Sequence, residues 1–514
     1  MVIIMKLATA SQMAEIDQCA ISQFSIPSTA LMEHAGLEIV KRLGPLEGKR
    51  IVIFSGRGKN GGDGLVVARR AISQNAGKVS VYMPAGGKLA ADTLEMKNRL
   101  FEYGGTVLEV DEIGREMTED CDKADIIVDA LFGTGLSREP AGLYARMIDL
   151  INRSDGAVYA ADLPSGVYSD SGEVAEHTVK ADKTITFTLA KPGHFLMPPA
   201  EYCGEVSVCG IGIPDEVLSG REFAFETADE EFLERLILPR RRDTHKGSYG
   251  KVLLICGSVG FTGAAFFAAE SAVRTGSGLV YLGVPEKIYP IVASKLNEAI
   301  VFPLPDDADG RLSSRSFDIV CGYLQNCDAF LIGPGLSGSP ETQELSRRLV
   351  LFSKVPTIVD ADGINAFCGH INLLKDKKAP IILTPHAGEF SRLTGTEAGR
   401  VCFDDAKRFA VEHDVTLLLK GHRTVTVDGT GGAYVNTTGN PGMAKGGSGD
   451  VLSGIIVSLL GQKLPAKEAA ALGAYIHGKA GDYAANRFGE YSMTPTDLIH
   501  SICEVLKKFN SREW

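Results

Sequence analysis

Asp450 closes the stretch Asn440-Pro-Gly-Met-Ala-Lys-Gly-Gly-Ser-Gly-Asp, which runs into the apolar Val451-Leu-Ser-Gly-Ile-Ile. Glycines at 446, 447 and 449 let the backbone approach an anion closely. A helix starting here offers free N–H groups and the positive end of its dipole. A carboxylate in its first turn could take a proton from a hydroxyl while the amides hold phosphate oxygens. The plainer alternative is a helix cap in a tight turn. A second glycine-rich stretch, Gly56-Arg-Gly-Lys-Asn-Gly-Gly-Asp-Gly, follows the β-branched run 51–55. It is neither G-x-G-x-x-G nor a P-loop, because the Lys-Ser/Thr pair is missing. A dinucleotide could still lie there, across the carboxyl edge of a sheet. Two further carboxylates fall where strands should end: Asp129 before Leu-Phe-Gly-Thr-Gly135, and Asp162 in Asp-Leu-Pro-Ser-Gly166. Carboxylates at successive strand ends converge on one cleft.

The elements that must position these groups are legible as alternating patterns. In the first half, 51–55, 78–83, 106–110, 126–131 and 158–163 read as buried strands, and 64–72 and 92–103 have helical periodicity. The runs 184–189 and 205–209 extend the same sheet. Strands separated by helices predict a parallel sheet covered on both faces, a Rossmann-like three-layer sandwich. Residues 214–242 are charged and show no strand pattern, so a boundary is expected there, giving domains 1–225 and 226–514. The pattern then restarts, with strands at 252–256, 279–284, 329–332, 357–359, 381–384, 416–419 and 424–427 and helices at 264–275 and 450–460. No repeat relates the halves, so two different α/β folds are expected.

Composition narrows the function classes. A net charge of −11 over 514 residues argues against a nucleic-acid binder. Arg240, Arg241, Arg242, Lys246 and Lys251 form a local exception, and charge alone favours a solvated linker over a phosphate-binding edge. The 10 cysteines contain no C-x-x-C pair and no zinc or disulfide spacing; Cys203 and Cys209 are too loosely spaced for a metal. Reduced thiols and a reducing compartment follow. The apolar run 2–4 is too short for a signal peptide or a membrane span. A soluble, cytoplasmic protein without nucleic-acid or membrane partners is expected.

The second half resembles the ribokinase-like superfamily and, within it, the ADP-dependent NAD(P)H-hydrate dehydratases. The match is carried in order by His245-Lys-Gly-Ser-Tyr-Gly, Thr262-Gly-Ala-Ala, Arg274-Thr-Gly-Ser-Gly-Leu-Val, Ile332-Gly-Pro-Gly-Leu, Val359-Asp-Ala-Asp-Gly-Ile-Asn, Leu383-Thr-Pro-His-Ala-Gly-Glu, Lys420-Gly-His-Arg-Thr and the terminal glycine loop. The resemblance implies that Lys420, Gly421, His422, Arg423, Thr424 and Gly449 hold the adenine nucleotide. It implies that Ala264, Gly335, His386 and Asp450 line the hydrated nicotinamide, with Asp450 as base. Phosphorylating the hydroxyl at C6 of the ring would make it a good leaving group, and the ring nitrogen would then expel phosphate. Mg2+ would accompany ADP. Asp360 and Asp362 either satisfy loop amides or meet magnesium through water, His386 is either structural or a substrate contact, and Asn365 could simply cap a turn.

The first half, over about residues 8–215, resembles the NAD(P)H-hydrate epimerase domain, with further matches in Met32-Glu-His-Ala-Gly and Thr188-Leu-Ala-Lys-Pro-Gly. The resemblance implies a potassium ion near Asn60, Asp129 and Ser165, which suits a hard cation. It implies substrate contacts at Asn60, Gly61, Gly62 and Asp63, at Gly133, Thr134, Gly135, Leu136, Ser137, Arg138 and Glu139, and at Asp162. Acid/base chemistry falls to Asp162, with Lys191 second. Lys59 stands where the family commonly has a second Asn. Together the halves would repair both C6 epimers of hydrated NADH and NADPH, and a homo-oligomer is expected. The alternatives are a ribokinase-type kinase of a sugar or hydroxymethylpyrimidine, and a regulatory protein with idle sites.

Overall fold

The computed structural model describes residues 6–237, 239–396 and 402–510; the apolar run 2–4 lies outside them. The described residues divide into two compact units, which meet in sequence between Phe225 and Glu226.

In the N-terminal unit the apolar runs form seven strands: β1 (Arg50–Ser55), β2 (Lys78–Pro84), β3 (Leu108–Val110), β4 (Ile126–Ala130), β5 (Ala157–Ala161), β6 (Lys183–Phe187) and β7 (Glu205–Cys209). They pair in the order β3-β2-β1-β4-β5-β6-β7, every neighbour parallel. β4 is buried at every residue, as expected of a central strand covered on both faces. One face packs on α2 (Ser28–Leu43), α3 (Lys59–Ser73) and α4 (Ala91–Glu102), through residues such as Ile39, Leu65 and Met96. The other packs on α5 (Arg115–Asp122) and α6 (Leu143–Arg153), through Met117, Cys121, Met147 and Ile151. The three-layer sandwich is therefore present. Strand order reverses between β1 and β4, the place where such sheets open a ligand crevice beyond their carboxyl ends. Another helix, α1 (Ala10–Gln23), precedes the sheet and is opened by a capping box of Thr9 and Gln12.

The glycine-rich stretch after β1 differs from expectation. α3 already begins at Lys59, so Asn60, Gly61, Gly62 and Asp63 lie in its first turns and not in a loop. Glycine is a poor helix former, and close packing explains its use here. A methyl built on Gly61 would stand 1.8 Å from the Gly56 carbonyl oxygen, and one on Gly62 would stand 2.3 Å from Met32 Sδ. Gly61→Ala should therefore cost about 1–3 kcal/mol through overpacking. A thermal unfolding scan checks this, and an unchanged midpoint would contradict it.

The C-terminal unit is built on β8 (Phe225–Ala228), β9 (Lys251–Ile255), β10 (Leu279–Pro285), β11 (Ile300–Leu304), β12 (Ala329–Ile332), β13 (Thr357–Val359), β14 (Ile381–Leu383), β15 (Thr416–Leu419), β16 (Val425–Val427) and β17 (Ala433–Asn436). Their order is β8-β17-β16-β15-β14-β13-β12-β9-β10-β11. Pairing is parallel from β15 to β11, and antiparallel for β15 with β16 and β16 with β17. The order reverses between β9 and β12, which makes a second switch point. The charged stretch expected to lack strands contains β8 and the helix α7 (Glu230–Leu236), which buries Phe232 and Leu233 in the core. Further along, α8 (Thr262–Arg274) packs its alanine face on α10 (Ser448–Gly461), which in turn packs on α11 (Ala466–Phe488). The contact is close: a methyl on Gly454 would stand 2.2 Å from the Ala268 carbonyl oxygen. This fixes the helix that carries Asp450.

Each of the ten cysteines is free. Among the described residues no helix is long and apolar enough to cross a membrane, and no cluster of three His, Cys, Asp or Glu side chains is placed to hold a metal. Arg240, in the basic cluster, stacks 3.9 Å over the Tyr249 ring and donates to the Gly276 carbonyl.

Candidate active sites

At the N-terminal switch point Asp129, next to last in β4, is fully buried. Its carboxylate accepts from the Ser165 N–H (2.7 Å), the Ser165 hydroxyl (2.6 Å) and the Leu131 N–H (3.2 Å). Among the described residues no cationic side chain pairs with it, and burial outweighs these hydrogen bonds and pushes its carboxyl up to about 6. The Phe132 N–H donates to Ser165 Oγ (2.9 Å), and Asn60 Nδ2 donates to the Phe132 carbonyl (2.8 Å). Asn60, Asp129 and Ser165 thus belong to one oxygen-rich cluster. A buried carboxylate without a counter-charge, among neutral oxygens, is a donor set that fits a hard monovalent cation.

Asp162 follows β5 with φ 66°, a left-handed backbone that turns its side chain onto the sheet edge. Its carboxylate accepts from Lys191 Nζ (2.7 Å), the Thr186 hydroxyl (2.9 Å) and the Thr134 N–H (3.3 Å). Burial opposes its charge, but the Lys191 ammonium and these hydrogen bonds hold its carboxyl below the usual value. Lys191 is 2% exposed and also donates to the Thr186 hydroxyl (2.7 Å) and the Phe187 carbonyl (3.3 Å). The Lys191 N–H donates to His194 Nδ1 (2.9 Å), so the ring proton sits on Nε2, which donates to the Asp162 carbonyl (2.7 Å). Burial, reinforced by the Lys191 charge, pushes His194 down to about 4, and this neutral ring braces the backbone of both residues.

These groups open on a cavity of about 650 Å³, a size suited to a small organic ligand. Asn60, Asp63, Gly133, Thr134, Gly135, Asp162 and Lys191 line it. Gly61, Gly62 and Leu136 through Glu139 are not among its lining residues; Glu139 instead accepts from the Glu176 N–H (2.5 Å). Lys59 lines it too, as does Asp17 on α1. Asp17 escaped the sequence reading because it sits in a polar helix with no glycine loop or strand end beside it. The hydroxyl of Thr186 was also missed, although it links Asp162 to Lys191.

The C-terminal site gathers on the carboxyl edge of its sheet. Asp360 follows β13, is 1% exposed, and accepts from Lys420 Nζ (3.0 Å) and the Ser453 hydroxyl (2.7 Å) of α10. Lys420 also lies 3.8 Å from Glu389. Burial opposes the Lys420 charge, but Asp360 and Glu389 overcome it and raise its pKa. The Lys420 N–H donates to the Pro385 carbonyl (2.8 Å), which joins the two segments after β14 and β15. His386 caps α9 (Ala387–Thr394): its Nδ1 accepts from the Gly388 and Glu389 N–H groups, while Glu389 accepts from the His386 N–H. Its Nδ1 is thus engaged in the cap while Nε2 lies 3.7 Å from Glu389 Oε1, and its side chain is 54% exposed. Asp362 accepts from the Ser337 N–H (2.8 Å), satisfying a loop amide. Asn365 bridges Asp362 and Arg392. Gly335, with φ 66°, comes so close to Ala264 that a methyl on it would stand 3.0 Å from the alanine Cβ. Gly421 and Thr424 close a small turn on each other, and Arg423 donates to the Thr437 carbonyl (3.1 Å).

Asp450 occupies the first turn of α10, whose cap Gly447 has φ 101°. The Gly449 and Asp450 N–H groups meet no acceptor among the described residues, leaving the helix end open to an anion. A methyl on Gly449 would stand 3.5 Å from Lys420 Nζ, so the ammonium lies at the same end. No described residue hydrogen-bonds the Asp450 carboxyl. Burial first, then the Asp360 charge, push it up to about 7, against the pull of Lys420. A carboxyl so placed is half-ionised near neutrality, which suits a general base. His477, missed from the sequence, donates from Nε2 to the Ser448 carbonyl (2.9 Å) at the start of this helix.

Comparison with known proteins adds to this geometry. Residues 252–504 match the family described as NAD(P)H-hydrate dehydratase, and residues 28–193 match the one described as YjeF-related protein N-terminus. A bifunctional NAD(P)H-hydrate repair enzyme of Moorella thermoacetica is 41% identical over 98% of this chain and 97% of its own. The chain belongs to the bifunctional NAD(P)H-hydrate repair enzymes. Members from Thermofilum pendens (37% identical; 98% of this chain, 96% of that one) and Escherichia coli (33%; 88% and 84%) agree. A ribokinase-like superfamily protein of Enterococcus faecalis, 27% identical, aligns with a TM-score of 0.50 over 57% of this chain and 100% of its own. As a bifunctional NAD(P)H-hydrate repair enzyme the chain carries dehydratase and epimerase activities. The dehydratase match falls in the unit of Asp450 and the YjeF-type match in the unit of Asp162.

Proposed function

We propose that residues 226–514 dehydrate the S epimer of hydrated NADH or NADPH at the expense of ADP, and that residues 1–225 interconvert the S and R epimers. The observation that carries the first assignment is the Asp450 carboxyl, pushed up to about 7 and without a hydrogen-bond partner among the described residues, beside two helix amides that meet no acceptor among them and the Lys420 ammonium. In this reading Lys420 through Thr424 and Gly449 hold the nucleotide, and Ala264, Gly335, His386 and Asp450 line the nicotinamide. Asp450 takes the proton of the C6 hydroxyl as its oxygen attacks the terminal phosphate of ADP, releasing AMP. The ring nitrogen then pushes out phosphate, C5 gives up a proton, and NAD(P)H is restored. Magnesium bound with the nucleotide would neutralise charge on the phosphates.

In the N-terminal unit Asp162 serves as acid/base with Lys191 as its partner. Potassium held by Asn60, Asp129 and Ser165 would supply a fixed positive charge. The oxygen-only donor set and the uncompensated Asp129 support this. We also place the enzyme in the cytoplasm, in keeping with its ten free thiols, and expect a homo-oligomer.

Coupling tests the dehydratase assignment. ADP with the S epimer should yield AMP, phosphate and reduced cofactor in equal amounts, measured by chromatography and phosphate assay. A stable phosphoester of a sugar or pyrimidine, accumulating with no reduced cofactor formed, would replace this reading with a kinase.

A further inference from the structure

The N-terminal cavity holds two carboxyl groups that the Asp162–Lys191 pair leaves without a role. Asp63, in the first turns of α3, is 8% exposed, lines the cavity, and accepts no hydrogen bond from any described residue. Asp17 lines the same cavity from α1 and likewise accepts none. Buried polar groups are usually hydrogen-bonded, so an unpartnered carboxyl facing a ligand-sized space points to a ligand atom as its partner.

Inversion at C6 has a chemical requirement that these groups meet. C6 carries hydrogen, the hydroxyl, C5 and the ring nitrogen N1, and its C–H bond is not acidic, so a bond to oxygen or nitrogen must break. Losing the hydroxyl as water would leave a cation that sheds a C5 proton to give NAD(P)H, which would make the nucleotide-driven reaction redundant. Opening the C6–N1 bond avoids this. A base takes the hydroxyl proton, the oxygen electrons form a carbonyl at C6, and the C6–N1 electron pair moves to N1, which must receive a proton. Rotation about C5–C6 presents the other face of the aldehyde, and the same transfers in reverse close the ring. The cavity must therefore offer a proton acceptor and a proton donor together.

We propose, on the basis of the epimerase assignment above, that Asp63 donates the proton to N1 while Asp162 accepts that of the hydroxyl, and that Asp17 is the positioning carboxyl whose charge tunes Asp63. The environments divide the roles accordingly. Lys191 keeps Asp162 ionised, whereas burial, with the charges of Asp162 and Asp17, pushes Asp63 well above the usual carboxylate range. Two carboxyls driven apart in this way mark an acid and a base. Burial raises Asp17 as well. The other charged groups facing the cavity are Lys59, whose charge favours ionised Asp63, Arg57, engaged with Glu109 and the Pro84 carbonyl, and Asp92, which accepts from Ser28. α2 presents only Ser28, Leu31, Met32 and Ala35, and Asp129 lies deeper, at the end of β4.

The test uses the full-length enzyme without ADP, starting from the pure S epimer and following the approach to the epimer mixture by chromatography at several pH values. ADP-dependent dehydration of the S epimer serves as the folding control. Asp63→Asn should slow interconversion at least about 100-fold. Asp17→Asn, at a half-buried and more tolerant site, removes a negative charge near the donor. The alkaline limb of the rate profile should therefore move to lower pH by at least about half a unit. Interconversion by Asp63→Asn within a few-fold of wild type, or an alkaline limb left in place by Asp17→Asn, overturns the proposal. If Asp63→Asn does not fold, the Asp17→Asn profile decides. A wild type that never interconverts the epimers removes the epimerase assignment and this proposal with it, whereas an active wild type with an equally active Asp63→Asn removes this proposal alone.

Discussion

Asp450→Asn should abolish ADP-dependent dehydration while nucleotide binding survives. The variant should keep the shape of the first turn of α10, with the amides of Gly449 and residue 450 and the Lys420 ammonium still gathered at one helix end, available to an anion. What it loses is a proton acceptor, because a neutral amide cannot take the C6 hydroxyl proton. Loss of a positioned base costs about 10²–10⁴-fold in rate. The wild-type pH profile carries the same information. The base works when ionised, and burial and Asp360 push the Asp450 carboxyl up to about 7. The rate should therefore rise with pH and level off above about 7, whereas an ordinary carboxylate would give a plateau already complete in mild acid. Equilibrium binding of ADP, measured beside turnover of the S epimer, separates the two effects. Near-normal turnover by Asp450→Asn would contradict the assignment.

Asp162→Ala should leave repair of the S epimer intact and slow repair of the R epimer to the uncatalysed rate of inversion. The Asp162 carboxylate is held by Lys191, Thr186 and Thr134, so truncation removes the acceptor and leaves the buried Lys191 without its counter-ion. On a mixed substrate with ADP, the wild type should give one nearly continuous phase. The variant should give a fast burst, equal to the S fraction, and a slow remainder. Removing potassium should reproduce this shape if Asn60, Asp129 and Ser165 hold that ion, because the buried Asp129 would be left uncompensated. A slow phase that is the same in variant and wild type would mean that this unit does not epimerise through Asp162.

Much of the architecture was legible because the strands of a doubly covered parallel sheet are near-continuous apolar runs. β12, β13 and β15 fall at the expected residues, and β1, β4 and β9 within one residue of them at each end. The misses have identifiable physical causes. β8 is four residues long in a charged neighbourhood, and its membership in the sheet is decided by pairing with β17, not by its own pattern. The first turns of α3 looked like a loop because glycines argue against helix, whereas tertiary packing of Gly61 on Gly56, Gly62 on Met32 and Gly64 on Ala130 requires them. At the sites, groups at strand ends or in glycine loops were visible: Asp129, Asp162, Asp450 and the Lys420 segment. Asp17 and His477 were not, because each acts from the middle of a helix and only the fold brings it to the site. Gly61 and Gly62 came into view with the glycine stretch, but the structure packs them against Gly56 and Met32, and neither glycine itself lines the cavity.

Whether one chain repairs both epimers can be decided in a single incubation. The purified full-length protein is mixed with an equilibrated mixture of R and S hydrates and excess ADP, and reduced cofactor is followed by its near-ultraviolet absorbance. All of the hydrate should return as NAD(P)H, with one AMP formed for each molecule restored. Recovery that stops at the S fraction, or recovery that proceeds without ADP, would contradict it.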